Sequence, residues 1–231
     1  MSSNTRYYAD LFKDNDRYPH PYKTGHIDPP TVLATDGHRL RLVQVTPEEY
    51  AVDAFSDGAP PYKLVIEGHG PDNAKDAVRI NGRHLRPWLV QVKKLGAQVW
   101  RDEAAERKLE LAKVRGLAPK YARVKAREDL IRKHERRHTA LGQLVLDVGF
   151  DGAQLSVSAL PDLPPLGLDV IRADYTRTRP RALGLSRDYL AAAIKFAGSK
   201  PIDLSLGQDD FSPVHIRFCA EVEEYLMPMR L

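Results

Sequence analysis

Alternating apolar and polar residues define the first clear element of the chain. The runs 31–35 and 39–43 are β-prone, and an Asp36-Gly37 pair lies between them. An Asp-Gly pair between two such runs is a strong β-hairpin signal. In the second run Leu40 and Leu42 alternate with arginines, which predicts a strand with one buried and one solvated face.

Two later segments show the apolar spacing of amphipathic helices. The first predicted helix covers residues 81–95, with Asn81 as its cap and with Pro87 tolerable only near the first turn. The second covers residues 186–198, starts at a Ser186 cap and ends at a glycine. Their apolar stripes are formed by residues 85, 88, 89, 92 and 95, and by residues 189, 190, 193, 194 and 197.

The second half of the chain repeats the first in outline. Residues 144–157 again form a strand, an Asp-Gly turn and a strand, and the two Asp-Gly turns are 115 residues apart. The two helix starts are 105 residues apart. This spacing predicts two related α+β modules. Further strands are expected at residues 64–66, 168–175, 202–206, 214–218 and 224–229.

Composition narrows the class of protein. The 231 residues are 42% apolar, which permits a substantial core, and no run approaches the ~18 apolar residues that span a bilayer. Residues 1–10 contain no apolar stretch typical of a secretory signal, and the single cysteine, Cys219, has no partner for an internal disulfide. We therefore expect a cytoplasmic protein with no membrane association. Paired acids such as Asp209-Asp210 and Glu223-Glu224 are expected to be solvated turn and edge charges.

The segment 101–138 is more basic than the rest of the chain. It holds 13 Lys/Arg and 7 Asp/Glu, whereas the net charge of the whole chain is +4. It favours helix, with a break near residues 116–119, and has too few apolar positions for a fully packed helix pair. Two interpretations remain open: a local anionic partner such as nucleic acid, or a solvated helix with many ion pairs.

The same segment contains a possible metal motif. His134-Glu135-Arg136-Arg137-His138 matches HExxH, in which two histidines four residues apart ligate zinc and the glutamate acts as base. The surrounding arginines and lysines oppose a dication, and no third ligand follows closely. A zinc hydrolase using His134 and His138 is therefore kept only as a minor alternative, and no metal or other cofactor is expected.

Two short strings resemble the bacterial DNA polymerase III β sliding clamp family. The ATDGHRL hairpin of residues 34–40 is one, and the MPMRL ending of residues 227–231 is the other. The resemblance implies a shortened, divergent member with a sliding-clamp (DNA clamp) α+β fold, in which two β-sheet modules carry helices on one face. It also implies a non-catalytic processivity factor that encircles duplex DNA and tethers replication or repair proteins. A DNA polymerase, other proteins with clamp-binding peptides and a clamp loader are the implied partners.

The family's partner site is a hydrophobic cleft between the hairpin and the C-terminal tail, with leucine and methionine as its floor and Arg39 at its rim. The matching residues here are Thr35, Gly37, His38, Arg39, Leu40, Tyr225, Leu226, Met227, Pro228 and Met229. The family's helices also carry basic side chains towards DNA. The candidates for such phosphate contacts are Lys93, Lys94, Arg123, Lys125, Arg187, Lys195 and Lys200.

These expectations give three segments. Residues 1–105 form a clamp-like module that lacks its opening helix, residues 106–140 a basic helical insertion or linker, and residues 141–231 a second clamp-like module. Because a family ring has six domains, two per chain predict a homotrimer. The alternative is a clamp-like DNA-binding or replication-regulating protein that does not encircle DNA. Neither interpretation requires catalytic residues.

Overall fold

A computed structural model describes residues 21–24, 29–51, 71–115, 120–150, 152–176, 181–198 and 200–229. Within these ranges there are eleven strands: β1 (Tyr22–Lys23), β2 (Thr31–Thr35), β3 (Arg39–Gln44), β4 (Asp76–Ile80), β5 (Gln143–Val148), β6 (Ala153–Ser156), β7 (Leu166–Arg172), β8 (Arg181–Ser186), β9 (Ile202–Leu206), β10 (Val214–Arg217) and β11 (Val222–Leu226). The α-helices are α1 (Pro47–Ala51), α2 (Gly82–Arg115), α3 (Lys120–Gly142) and α4 (Arg187–Ala197).

All these strands join one antiparallel sheet. Its order is β1-β2-β3-β11-β10-β9-β4-β7-β6-β5-β8. The predicted hairpins 31–44 and 144–157 are present as β2-β3 and β5-β6, and the α+β class is confirmed. The predicted strand 64–66, the turn residue Asp151 and the helix break 116–119 lie outside the described residues.

A strand-helix-strand-strand-strand unit occurs twice in the sheet. The first unit is β4, the helices α2 and α3, then β5, β6 and β7; the second is β8, α4, then β9, β10 and β11. The opening strand of each unit pairs with a strand of the other, because β4 lies beside β9 and β8 beside β5. The helices start at Gly82 and Arg187, which preserves the predicted spacing of 105 residues.

The helices cover one face of the sheet and pack against each other there. Leu85 and Val92 of α2 and Leu190 and Ile194 of α4 are almost fully buried in the main apolar core. The Nη2 atom of Arg86 donates to the carbonyl oxygen of Ile194 at 3.2 Å, near the end of α4. The start of α2 therefore lies against the end of α4.

The caps of α4 follow the prediction. The backbone N–H of Tyr189 donates to the Ser186 hydroxyl, and Gly198 ends the helix with a positive φ of 68°. Such a φ is accessible to glycine at little cost, because a Cβ atom is absent. The Asn81 side chain likewise accepts the N–H of Arg83 at the start of α2.

Helix α2 joins two segments that were predicted to be helical separately. It runs without interruption from the predicted helix 81–95 into the helix-prone segment that starts at residue 101, ends at Arg115, and includes Pro87 in its second turn. Its outer part packs antiparallel against α3, and the pair has few buried apolar side chains, as the sparse apolar positions of this segment predict. We call residues 97–115 and 120–139 the arm. The predicted module boundaries at residues 105 and 140 fall inside α2 and α3.

The arm pairs its helices through an unusually polar seam. The side chains of Glu103, Leu130 and His134 are buried there, and the Lys133 ammonium donates to Glu110 at 3.1 Å. This hydrogen bond is the main reason that the pKa of Glu110 lies below its usual value. Charged contacts therefore replace much of the apolar packing that the sequence lacks. No helix within the described ranges combines the length and apolar character needed to cross a bilayer.

Candidate functional site

Hydrogen bonds fix the turn of the β2-β3 hairpin. The Asp36 carboxylate accepts the backbone N–H groups of His38 and Arg39 at 2.9 and 2.8 Å, and its second oxygen accepts Arg39 Nε at 2.8 Å. The Thr35 hydroxyl donates to the Arg39 carbonyl and accepts the Gly37 N–H. Gly37 has a φ of 90°, a conformation that side chains with a Cβ atom rarely adopt.

The hairpin and the last strand lie side by side, as the resemblance implies. Strand β3 pairs antiparallel with β11, with Leu40 opposite Tyr225 and Arg39 opposite Leu226. Leu40 and Tyr225 belong to a small apolar cluster separate from the main core. Because strand side chains alternate between faces, this cluster lies on the face of the sheet away from α4, whose aromatic rings contact Arg39 and Arg41.

A buried ion pair joins the two strands. Arg41 lies opposite Glu224, its Nε atom donates to the Glu224 carboxylate at 2.8 Å, and both side chains are fully buried. The guanidinium also lies 4.9 Å from the ring of Phe196. Next to it, the ring of His215 is 2.5 Å from the Glu223 carboxylate. The expectation of a solvated edge charge is therefore wrong for Glu224, whereas Glu223 is half-buried beside His215.

Beyond β11 the chain changes its pairing partner. The N–H of Met227 donates to the carbonyl of His38 at the hairpin, whereas the N–H of Met229 donates to the carbonyl of Gly184 in β8. We call residues 227–229 the tail. An isolated bridge between Gly184 and Met229 brings β8, at the far end of the sheet order, into contact with the tail. The tail thus crosses from the hairpin to β8.

Gly184 makes this crossing possible. A Cβ atom at this position would lie 2.5 Å from the Met229 carbonyl oxygen and 2.7 Å from the Gln143 side chain. Separations under 3.0 Å do not occur for real Cβ atoms, and the first neighbour is backbone. An isolated glycine inside a strand pattern is a signal of close backbone approach, and the sequence shows it in Ala182-Leu183-Gly184-Leu185.

Tyr189 of α4 lies beside the hairpin, although it is not among the predicted cleft residues. The Arg39 guanidinium lies 4.6 Å from its ring centroid, and the His38 ring is 6.2 Å away. Burial is the main cause that raises the pKa of Tyr189. The sequence places Tyr189 on the apolar stripe of α4, but nothing local shows that it lies beside the hairpin.

The predicted cleft residues differ in accessibility. Gly37, His38 and Met227 are exposed, and Pro228 and Met229 are half-buried. The other predicted members are buried: Thr35, Arg39, Leu40, Tyr225 and Leu226. Arg39 is therefore packed under the hairpin turn and against Tyr189, which corrects its expected place at a charged rim. Met227, whose exposed fraction is 43%, is the main apolar side chain that a partner can reach.

The predicted DNA-contacting residues fall into two groups. Lys93, Lys94, Lys195 and Lys200 are exposed on or beside α2 and α4, on the helical face of the sheet. Arg187 is half-buried there, because it donates to the carbonyl of Leu141 and to the Asp188 carboxylate. Arg123 and Lys125 are exposed on α3 in the arm.

A groove of about 470 Å³ lies where the arm meets the body. Lys93 and Trp100 of α2, Thr139 of α3 and Arg187 of α4 line it, and Met229 of the tail closes one side. The groove therefore joins the tail to the helical face.

The HExxH motif lies in the seam of the arm. The His134 side chain is buried, and its Nε2 atom is 3.6 Å from Glu110 on the opposite helix. The side chain of His138 lies outside the described residues. Among the described residues no group of three His, Cys, Asp or Glu side chains could hold a metal ion.

Comparison with solved structures identifies the architecture. The DNA polymerase III β chain of Streptococcus pneumoniae aligns with a TM-score of 0.53 and 11% identity, over 91% of this chain and 56% of that one. A β sliding clamp of Caulobacter crescentus aligns with a TM-score of 0.50 and 16% identity, over 92% of this chain and 57% of that one. The chain has the sliding-clamp fold.

The sliding-clamp fold is shown by architecture and not by overall sequence. No family model matches the sequence, and no curated protein matches it either. The chain spans 56–57% of the length of the two clamps named above. Function is therefore inferred from three parts of the structure: the hairpin, the tail and the two strand-helix units.

Proposed function

We propose that this chain is the subunit of a DNA sliding clamp, a non-catalytic processivity factor that encircles duplex DNA and tethers replication or repair proteins. The observation that carries the proposal is the pairing of β3 with β11, followed by the crossing of the tail to Gly184. This arrangement puts both strings that resemble the clamp family at one place on the surface. A topological tether needs neither catalytic residues nor a cofactor.

Partner peptides would dock where the tail crosses. Methionine is a flexible, polarisable side chain that suits peptide recognition, and the exposed Met227 is hydrogen-bonded through its backbone to His38. The hairpin turn is held by the hydrogen bonds of Asp36 before any partner binds. Binding would therefore cost little conformational entropy at the turn. The proposed partners are a DNA polymerase and other proteins that carry an apolar clamp-binding peptide.

DNA would pass along the helical face. Lys93, Lys94, Lys195 and Lys200 are exposed there, and long lysine side chains can reach phosphates without reading bases. Contacts of this kind carry no sequence information and weaken with salt, which suits a protein that slides. Arg187 and the arm residues Arg123 and Lys125 would add to the positive field.

Ring formation is proposed to use three chains, loaded by a clamp loader in the cytoplasm. Two clamp modules per chain then give the six domains of a ring, with the basic segment 106–140 as an insertion between them. Edge strands of neighbouring subunits would pair head to tail, since a closed ring leaves no unpaired edge. Light scattering at micromolar concentration should give the mass of a trimer. A stable monomer would refute the ring.

The topology of the bound DNA provides the decisive test. With a clamp loader and ATP, the protein should stay on a nicked circular plasmid during gel filtration and should leave after one restriction cut linearises the plasmid. Equal retention on circular and linear DNA would contradict encirclement. It would support the non-encircling alternative, which is favoured by one observation: the chain spans only 56–57% of the two clamps' length.

The cleft can be tested separately from the ring. Met227→Asp should weaken binding of a fluorescent clamp-binding peptide at least tenfold, because a charge would replace an exposed apolar contact. Tyr175→Asp is the matched control, since Tyr175 is an exposed apolar side chain in the loop after β7. If both variants bind the peptide like the wild-type protein, the cleft assignment is wrong, whatever the oligomeric state.

A further inference from the structure

Helix α2 carries a regular stripe of basic residues. Lys94, Arg101, Lys108 and Arg115 follow one another at intervals of seven residues, and all four are exposed. Seven residues are two turns less ~20°, so the four side chains share one side of the helix and drift only slowly around it. The opposite side of α2, with Gly96, Glu103 and Glu110, faces α3. The stripe therefore lies on the side of α2 that faces away from α3.

The sequence around the stripe holds no ion-pair partners within the helix. No carboxylate lies three or four residues from Lys94, Arg101, Lys108 or Arg115 within α2. Four of the eight positions that lie three or four residues from them within α2 are alanine: Ala97, Ala104, Ala105 and Ala112. Arg101 donates hydrogen bonds within its own helix, to the carbonyl of Ala97 and to the side chain of Gln98.

The acidic residues of the outer part of α2 lie elsewhere on the helix. Asp102, Glu103, Glu106 and Glu110 sit at least roughly 80° around the axis from the stripe, at 100° per residue. A helix that is merely solvated usually mixes charges at i and i+4, because such pairs stabilise it. Here the signs are separated, which leaves a line of positive charge along one side of the helix.

We propose that this stripe binds the phosphate backbone of duplex DNA along the arm. From Lys94 to Arg115 it covers 21 residues, or ~32 Å, which is close to one helical turn of B-DNA. The small alanine side chains beside Arg101 and Lys108 favour close approach of a polyanion to this part of the helix. The stripe starts beside Lys93 on the helical face and continues outward, so it extends the proposed DNA-contacting surface beyond the sheet-backed body. This contact requires no ring.

The test compares two double variants of the same helix. Arg101→Gln with Lys108→Gln removes two charges from the stripe. Arg107→Gln with Lys113→Gln removes the same two residue types from positions that do have a glutamate three or four residues away. Binding of a linear 24-base-pair fluorescein-labelled duplex is measured by anisotropy between 50 and 200 mM salt, with two unrelated sequences, after circular dichroism has shown equal helix content.

The stripe variant should lose affinity for both duplexes, and its plot of log K against log salt should become shallower by about 1.8, since each phosphate contact contributes ~0.9. The control variant should keep the wild-type slope. Equal losses in the two variants, an unchanged slope, or wild-type binding to anionic lipid vesicles but not to duplex DNA would each overturn the proposal. Retention on circular plasmid is measured separately. A failure of the stripe proposal can therefore be distinguished from a failure of the clamp proposal.

Discussion

The sheet-containing body and the helical arm are stabilised by different kinds of interaction. In the body, side chains such as Leu85, Leu144 and Leu190 are fully buried in one continuous apolar core. In the arm, the buried positions include Glu103 and His134, and a glutamate-lysine contact bridges the helices. Apolar burial is worth ~25 cal/mol per Å², whereas partly exposed ion pairs contribute little. The body should therefore carry the stability, and the arm should carry surface charge.

The largest effect is expected from the ion pair that locks the hairpin to the last strand. Arg41→Met should lower the free energy of unfolding by about 3–5 kcal/mol, because it leaves the Glu224 carboxylate buried and unpaired. Urea denaturation measures the loss. The double variant Arg41→Met with Glu224→Leu should recover most of it. A loss that persists in the double variant would mean that packing, and not charge burial, dominates.

A matched pair of leucines tests the contrast directly. Leu190→Ala in the body should cost about 2–5 kcal/mol, as expected for a fully buried leucine. Leu130→Ala in the arm seam should cost less than about 2 kcal/mol, because its surroundings are polar and can relax. Both values come from the same urea experiment. Equal costs would show that the arm and the body unfold as one equally packed unit.

The crossing of the tail gives the next effect. Gly184→Ala should cost about 1–3 kcal/mol, because the new methyl group would collide with the Met229 carbonyl. It should also weaken clamp-peptide binding by moving the tail away from β8. Gly167→Ala is the control, since a Cβ atom there meets nothing within 4 Å. Should Gly184→Ala leave both stability and peptide binding unchanged, the tail would not be held by this bridge.

The smallest effect concerns pH. Hydrogen bonding from His215 is the main cause that lowers the pKa of Glu223 from its ordinary value of 4.5. The folded state thus binds this proton less readily than the unfolded chain. The contribution of ionised Glu223 to the free energy of unfolding is therefore complete above pH 4.5 and disappears as the pH falls through the lowered pKa. Urea midpoints between pH 3 and 7 should fall less steeply on acidification in Glu223→Gln than in the wild type. Glu128→Gln, exposed on α3, should behave like the wild type.

Local signals predicted what is local in this fold. Asp36-Gly37 located the first hairpin, and Ser186 with Gly198 fixed the ends of α4, because caps and turns depend on neighbouring residues. The continuity of α2 through residues 96–100 was missed, since beyond residue 95 the buried positions of the helix are Gly96 and Glu103 and no longer apolar side chains. The two helices of the arm pack through charged side chains, so the sequence there lacks the periodic apolar positions that would have predicted their contact.

The missed parts of the candidate site are long-range. Glu224 looks like a solvated charge until Arg41, 183 residues away, is placed opposite, and Glu223 does so until His215 is placed beside it. Tyr189 likewise is brought to the hairpin by a contact with Arg39, 150 residues earlier in the chain. The resemblance placed the hairpin and the tail together correctly, but it could not show that Arg39 and Leu40 are buried.

The distance in sequence between the two halves of the Arg41–Glu224 pair also bears on biosynthesis. A nascent chain on the ribosome holds the β2-β3 hairpin for as long as it takes to translate the next 183 residues. During that time the guanidinium has no carboxylate, and the β3 edge that β11 will cover is open. Pairings this remote close slowly, because a long loop must be ordered first. Selective ribosome profiling should therefore show that a chaperone stays bound to nascent chains after the hairpin has been translated.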